Sequence, residues 1–185
     1  MKAIMISIQP KWVAKILNGE KTIEIRKSMP KCEYPIDVYI YCTKDNKEEL
    51  FYVPATNKFY SYPKNLFMTK QLKKMGLTFN GEVVAKFTLN KIRIIGYPPV
   101  DLCEQDIKKS CLSEKELLDY SNEETIYGWC IDNLEIFDET KELGEFYRLK
   151  MFKVLPDIPE DLNYGLEKIY LTKAPQSWQF IEVEK

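Results

Sequence analysis

The chain has 185 residues, of which 45% are hydrophobic and 30% charged, and its formal net charge is −1. This composition is typical of a globular protein. No stretch approaches the ~18 consecutive apolar residues of a membrane span, and the first apolar run is too short for a signal peptide. We therefore expect a cytoplasmic protein. The chain has no histidine, which excludes Ser-His and Cys-His triads and histidine zinc sites, so any catalysis would use lysine, carboxylate, hydroxyl or thiol groups.

The first predicted elements are a strand and a helix. The β-branched, apolar run Ala3–Ile8 predicts a buried strand. Pro10 suits the first position of a helix over residues 10–18, in which apolar side chains recur at helical spacing. Asn18-Gly19 then ends the helix, because glycine accepts the left-handed conformation of a closing turn.

The following strand, Lys21–Arg26, alternates strictly between apolar and polar side chains. Its two isoleucines fall on one face, which we expect to pack in the core. The other face carries an ordered polar row of Thr22, Glu24 and Arg26. This row is either a solvated strand face or the floor of a binding site.

The middle of the chain predicts an insertion between strands. After a strand at Asp37–Thr43, the weakly periodic residues 44–80 are rich in lysine and aromatic side chains and predict a hairpin and a short helix. The long alternating run Gly81–Gly96 then predicts one strand that bends around a barrel. The insertion has the composition of a nucleic-acid-binding flap, although its aromatic side chains could equally pack on the barrel.

The second half predicts two acidic helices and further strands. The helices cover Glu104–Lys109 and Glu114–Tyr120, and Ser113 with Glu116 forms a capping box for the second. The remaining predicted elements are a strand at Thr125–Phe137, a helix near residues 140–147 and a final strand. Together the elements predict one α+β domain over residues 1–185, most simply an open mixed β-barrel with a short helix between its first two strands and later flanking helices.

Charge is unevenly distributed along the chain. Residues 1–99 hold 17 lysines and arginines against 8 acidic residues, whereas residues 100–145 hold 4 against 14. Such segregation is typical of a polyanion-binding face backed by an acidic one, but the two segments could also neutralise each other. The acidic segment 100–145 is also a candidate surface for a basic protein partner.

The five cysteines are scattered and form no C-x-x-C pair. This spacing favours reduced thiols over a disulfide framework or a zinc site. We therefore expect no metal and no cofactor.

The segment GEKTIEIR, Gly19–Arg26, matches the G-x-K-x-x-E-x-R signature of the ASCH domain. The resemblance extends to GEVVAKFTLNKI, GWCIDNLEIF and the late APQSW, in the same order along the chain. The sequence thus resembles the small ASCH-domain proteins that are common in bacteria and their phages. The resemblance implies a PUA-like β-barrel that interacts with RNA, with the signature lining a cleft.

One branch of that family comprises acetylcytidine amidohydrolases, which use the signature lysine, a threonine of the same strand and a later glutamate. By resemblance Lys21 matches the lysine, but Glu24 stands where that branch has its threonine, and Ser110 where it has its glutamate. Thr22 is a possible substitute nucleophile on the same strand face. These departures weaken the transfer of the amidohydrolase mechanism to this chain.

The central candidate residues are Lys21, Glu24 and Arg26. A carboxylate beside an arginine can hold the guanidinium fork in a fixed geometry toward a phosphate or a base edge. Lys21 would add a point charge, or a nucleophile or base if the chain is an enzyme with Glu24 as general acid/base. The competing interpretation is a surface ion pair worth no more than ~1 kcal/mol.

Aromatic side chains supply further candidates, because single-stranded RNA stacks its bases on them. Gln176, Ser177 and Trp178 follow a proline near the end of the chain, where a rigid turn could present an amide and an indole to a ligand. We expect Trp12 and Trp129 to lie in the core.

These observations predict an RNA-binding or nucleotide-binding protein whose cleft is lined by Lys21, Thr22, Glu24, Arg26 and residues 176–178. The alternatives are an enzyme acting on RNA or a modified nucleoside, through Lys21 and Glu24, and a protein-interaction module that uses the acidic segment.

Overall fold

The computed structural model describes residues 1–96, 103–153 and 164–184, which form an α+β fold. The strands are β1 (Lys2–Ile8), β2 (Ile23–Arg26), β3 (Ile36–Cys42), β4 (Glu48–Val53), β5 (Lys58–Pro63), β6 (Val83–Leu89), β7 (Ile92–Gly96), β8 (Ile126–Cys130), β9 (Asp132–Lys141), β10 (Tyr147–Lys153), β11 (Tyr164–Tyr170) and β12 (Trp178–Glu182). The helices are α1 (Pro10–Leu17), α2 (Phe67–Lys74), α3 (Glu104–Ser110) and α4 (Glu114–Ser121). Within these ranges we find no helix with the length and apolar character needed to cross a membrane.

The strands form one large sheet, one small sheet and a separate hairpin. The large sheet has the order β11-β10-β12-β1-β3-β6-β9, and the small sheet has the order β2-β8-β7. β1 and β3 are parallel because the chain crosses over through α1 and β2, whereas the other strand pairs described are antiparallel. The sheet is mixed and does not close, which confirms the predicted fold class, including the helix between the first two strands.

Two predicted strands are divided where the chain passes from one sheet to the other. The run Gly81–Gly96 forms β6 in the large sheet and β7 in the small one, and the run Thr125–Phe137 forms β8 in the small sheet and β9 in the large one. At the break the backbone N–H of Cys130 still donates to the carbonyl of Lys91. The prediction of single strands was therefore wrong at this corner, where strands commonly bend to change sheets.

The helices and the insertion agree more closely with the prediction from the sequence. The hairpin β4–β5 and α2 lie between β3 and β6, and α4 begins with the predicted capping box of Ser113 and Glu116. The prediction of a helix near residues 140–147 is wrong, because only a 3₁₀ turn at Leu143–Glu145 forms there.

The hydrophobic core has three clusters, and two of them bury the two faces of β1. Ile4 and Ile6 pack with α1 on one face of the large sheet, while Ala3 and Met5 pack in a second cluster on the other face. A third cluster joins the small sheet to α4 through Leu117. The small sheet is thus covered on its apolar side by the acidic helices, which positions β2 for the site described next.

Candidate functional site

The apolar face of β2 holds the strand in a fixed position. Ile23 and Ile25 lie in the third core cluster and are 2% and 5% exposed. Their neighbour on β8 is Gly128, where a Cβ atom would lie 2.8 Å from Ile23 Cγ2 and 2.6 Å from Ile95 Cδ1. Because only glycine permits this close packing, the opposite, polar face of β2 is held in register.

On and just before that polar face lie three charged side chains, Lys21, Glu24 and Arg26, which we call the floor triad. The Nζ atom of Lys21 is 3.3 Å from Oε2 of Glu24, and Nη2 of Arg26 is 3.0 Å from Oε1 of the same carboxylate. The three residues are only 2%, 6% and 9% exposed. This burial excludes the alternative of a solvated surface ion pair.

Two backbone carbonyls and one hydroxyl group from distant parts of the chain accept hydrogen bonds from the outer ends of the floor triad. Lys21 Nζ donates to the carbonyl of Ser110, the last residue of α3, at 2.7 Å. Arg26 donates from Nη2 to the carbonyl of Ser7 at 2.7 Å and from Nη1 to Oγ of Ser177 at 3.3 Å. The triad therefore ties β2 to α3, to β1 and to the turn before β12.

One donor of the triad remains unused. Among the described residues, the buried Nε of Arg26 has no hydrogen-bond partner. An unpartnered buried donor is costly, and such groups in native proteins are often explained by a ligand or water.

A cavity of about 900 Å³ opens above the floor triad. Its walls come from the start of α1, from the loop Thr43–Glu48 before the hairpin, and from one face of α4. Two aromatic side chains, Trp12 and Tyr120, line it together with the amide of Gln176. This volume lies within the range of small-molecule sites.

The cavity unites some of the predicted site residues and leaves others outside. Lys21, Glu24, Arg26 and Gln176 line it, whereas Ser177 reaches it only through its hydrogen bond to Arg26.

Thr22 and Trp178 are not part of the lining. Thr22 is exposed, and its backbone N–H donates to the carbonyl of Lys109. The indole of Trp178 is half-buried against Trp129, at 5.5 Å between ring centroids, and its Nε1 donates to Oγ of Ser28. The structure therefore separates these two predicted residues from the cavity.

Sequence reasoning missed the two aromatic side chains of the cavity. Trp12 was expected in the core, but it is only half-buried and its ring centroid lies 5.3 Å from Lys21 Nζ. The reason is its position in the first turn of α1, where it packs against the first core cluster and also lines the cavity. Trp129 is fully buried, as expected.

Tyr120 brings a phenol close to the floor triad. Burial raises the pKa of Tyr120, the Arg26 guanidinium acts to lower it, and the Glu24 carboxylate raises it further. Glu116 and Tyr120, which lie one turn apart on α4, both line the cavity. That helical spacing was the signal available in the sequence.

The predicted basic flap is an aromatic hairpin beside the cavity. The rings of Tyr60 and Tyr62 stack at 5.9 Å with an interplanar angle of 9°, and both pack against buried Phe51. Lys64 pairs with the buried carboxylate of Glu49 at 3.4 Å. The aromatic side chains of this segment thus contribute to packing within the insertion.

The acidic segment is partly used within the fold. Asp106 is 3% exposed and lies 2.7 Å from Arg93 Nη1 on β7. Glu116 caps α4 and lines the cavity. Part of the opposite charge therefore meets inside the molecule, as one of the two interpretations of the charge asymmetry expected.

Among the described side chains no group of three or more Cys, Asp or Glu residues is placed to hold a metal ion. The chemistry available at the cavity is that of ammonium, guanidinium, carboxylate, amide, hydroxyl and aromatic groups.

Comparison with solved structures supports the same fold. The crystal structure of an ASCH protein from Zymomonas mobilis superposes with a TM-score of 0.52 at 15% identity, covering 97% of this chain and 87% of that one. A serine-to-alanine mutant of the Zymomonas protein gives 0.51 at 16% identity, covering 89% of this chain and 87% of that one. At this level of identity the likeness concerns the fold alone.

Sequence comparison identifies the family. A search of curated proteins finds no significant match. The model of the ASCH domain matches residues 6–137, a span that includes β2, the floor triad and every residue that lines the cavity except Gln176. The chain therefore belongs to the ASCH domain family.

Proposed function

We propose that this protein binds RNA, or a nucleotide-like ligand, in the cavity above Lys21, Glu24 and Arg26. The observation that carries the proposal is a cavity of about 900 Å³ that combines a buried, rigid polar floor with two aromatic side chains. RNA-binding sites recognise unpaired bases by stacking and by hydrogen bonds to base edges. Both kinds of group are present here.

The floor triad supplies fixed polar geometry. Because Glu24 holds both cations, and backbone carbonyls hold their outer ends, the triad does not need to reorganise when a ligand arrives. Preorganised donors lose little conformational entropy on binding. The unpartnered Nε of Arg26 is the donor that a ligand or a bridging water would satisfy.

The aromatic walls supply stacking surface. Trp12 and Tyr120 come from two separate helices, α1 and α4. Lys11 lies 4.5 Å from the Trp12 ring, but its side chain is exposed and free to move aside for a base. Stacking on an aromatic ring is worth ~1–3 kcal/mol per base.

A titration with a short unstructured RNA at low salt tests the proposal. We expect binding that weakens when Tyr120→Ala removes one wall, a change that does not touch the floor triad. Tyr164→Ala is the matched control, because Tyr164 is an exposed tyrosine on β11 outside the cavity. No RNA affinity, or equal affinity of both variants and the parent, would contradict the proposal.

The Lys21→Ala and Arg26→Ala variants test the floor itself, provided that each variant is first shown to fold. Each removes a partner of buried Glu24, so loss of RNA binding counts only in a variant whose circular dichroism matches the parent. Unchanged affinity in a folded variant would exclude the floor from the binding site.

A second candidate function is an enzyme that acts on RNA or on a modified nucleoside. It is favoured by the placement of Lys21 and Glu24 3.3 Å apart at the closed end of a cavity. Glu24 would act as general acid/base and Lys21 as nucleophile or base. Thr22, which is exposed outside the cavity, has no part in this mechanism.

Incubation with acetylcytidine and with labelled RNA tests the enzyme. Product that forms with the parent and is lost in Glu24→Gln, in a preparation whose circular dichroism matches the parent, would support it. Absence of product from both substrates, or equal turnover by Glu24→Gln, would exclude it. A protein partner for the acidic segment 100–145 stays a prediction.

A further inference from the structure

The charged side chains that line the cavity outside the floor triad form what we call the mouth. They differ from the floor triad in which groups are already bonded within the protein. Five cations and four carboxylates line the cavity. The floor holds Lys21, Arg26 and Glu24, so the mouth holds the remaining three lysines and three carboxylates. The mouth is formally neutral, so its capacity to bind an anion depends on which of these groups still have hydrogen-bond donors free for a ligand.

All three carboxylates at the mouth accept hydrogen bonds from the protein. Asp45 Oδ1 accepts from the backbone N–H groups of Lys47 and Glu48, and these bonds hold the pKa of Asp45 below its usual value. Glu48 Oε2 accepts from Ser61 Oγ at 2.8 Å. Glu116 Oε2 accepts from the backbone and the hydroxyl of the residue that caps α4, both at 2.8 Å.

The three lysines at the mouth, in contrast, form no ion pairs with carboxylates of the described residues. Lys11, Lys44 and Lys47 are exposed, and no carboxylate of the described residues lies within ion-pair distance of their Nζ atoms. The aliphatic part of Lys44 packs on Gly81, where φ is +93° and a Cβ would lie 2.6 Å from Lys44 Cε. Lys44 is therefore partly fixed at the mouth before any ligand binds.

We propose that Lys44 and Lys47, together with Lys11 of α1, bind a phosphate group of the ligand. This inference rests on the proposed function and names its ligand class: a nucleotide or a phosphodiester, and not a free nucleoside. Ammonium groups are well suited to phosphate because they act as mobile point charges with three donors each. The floor cations are not suited to this role, since their donors are almost all engaged by Glu24 and by backbone carbonyls.

Matched ligands with and without phosphate test the inference. We expect cytidine 5′-monophosphate to bind roughly tenfold or more tightly than cytidine, as one or two charge-assisted hydrogen bonds would add. The Lys44→Met/Lys47→Met double variant keeps the aliphatic length of both side chains but removes their charge. Because Lys11 remains, it should keep only a small part of the preference for the monophosphate, with its cytidine affinity unchanged.

The matched control is Lys31→Met/Lys108→Met, which removes two exposed charges outside the cavity and should leave both affinities unchanged. An unstructured cytidine oligonucleotide distinguishes a terminal from an internucleotide phosphate. If only the oligonucleotide binds, and the Lys44/Lys47 variant weakens it more than the control does, the bound group is an internucleotide phosphate.

The outcomes separate the two proposals. Equal affinity of cytidine and its monophosphate, or oligonucleotide binding that the Lys44/Lys47 variant leaves unchanged, would overturn the phosphate site while the cavity remains a ligand site. If the parent protein binds none of the three ligands, the proposed function fails and the phosphate site fails with it.

Discussion

The floor and the mouth of the cavity contain the same kinds of side chain in opposite states. At the floor, one carboxylate joins two cations that are almost inaccessible to water, with Lys21 2% and Arg26 9% exposed. At the mouth, the carboxylates are bonded to the protein and the lysines are exposed and unpaired among the described residues. Charge at the floor holds the fold together, whereas charge at the mouth is free to meet a ligand.

The difference shows why a charged motif cannot be assigned a role from its residue types. Burying a charge is costly unless it is paired, so the floor triad is committed to its partners before any ligand arrives. Exposed charges keep their hydration and are screened by salt. Stability should therefore depend on the floor, and the salt dependence of binding on the mouth.

The largest expected effect is on stability, in Glu24→Gln. The substitution keeps the shape of the side chain but leaves Lys21 and Arg26 buried without a carboxylate. Removing one partner of a buried ionic pair costs ~3–5 kcal/mol. Urea unfolding should show this loss as a lower midpoint with an unchanged slope.

Glu20→Gln is the control for that measurement. Glu20 pairs with Lys15 at 3.6 Å, but its side chain is 50% exposed, so the change should cost no more than ~1 kcal/mol. Equal losses in the two variants would show that the floor triad is not the stabilising feature we describe.

The next largest effect is expected on RNA affinity, in Trp12→Ala. Loss of one stacking surface should weaken binding by ~1–3 kcal/mol, or roughly 5-fold to 150-fold. Trp12→Phe should keep most of the affinity. Trp178→Phe, which changes a half-buried indole outside the cavity, should leave the affinity unchanged, and a loss there would bring Trp178 back into the site.

Local patterns in the sequence were sufficient to predict the first three elements of secondary structure. The apolar run of β1, the proline and glycine that bound α1, and the alternation of β2 each concern neighbouring residues, and all three elements form as predicted. Alternation also placed Glu24 and Arg26 on one face, but it put Thr22 in the same row, whereas β2 begins only at Ile23 and Lys21 joins the triad instead. It could not show that this face is buried.

Burial of the polar face depends on contacts between distant residues. Lys21 meets Ser110, 89 residues away, and Arg26 meets Ser177, 151 residues away. The same holds for the mouth, where the loop Thr43–Glu48 and one face of α4 converge. Trp12 was assigned to the core for a related reason: helical spacing identifies an apolar face but not the point at which another element stops covering it.

A smaller effect is expected on the salt dependence of RNA binding. For a single strand, log K falls with log salt with a slope of ~−0.7 for each phosphate neutralised. Lys44→Met/Lys47→Met should therefore make the slope shallower by up to ~1.4, whereas Trp12→Ala should weaken binding with the slope unchanged. A shallower slope in Trp12→Ala, or an unchanged slope in the lysine variant, would place the phosphate contacts elsewhere.

The smallest effect concerns the loop that presents the mouth lysines. The backbone N–H groups of Glu48 and Lys47 hold the pKa of Asp45 below its ordinary value, so the ionised carboxylate is favoured in the folded protein. Such a group stabilises the fold above the pKa of the unfolded chain, about pH 4, and loses this contribution as the pH falls through the lower, folded value. Asp45→Ala should therefore cost at most ~1 kcal/mol at pH 7, and less as the pH is lowered below 4. Urea unfolding of parent and variant at several pH values measures this difference, and a difference that grows toward low pH would show that the carboxylate does not hold the loop.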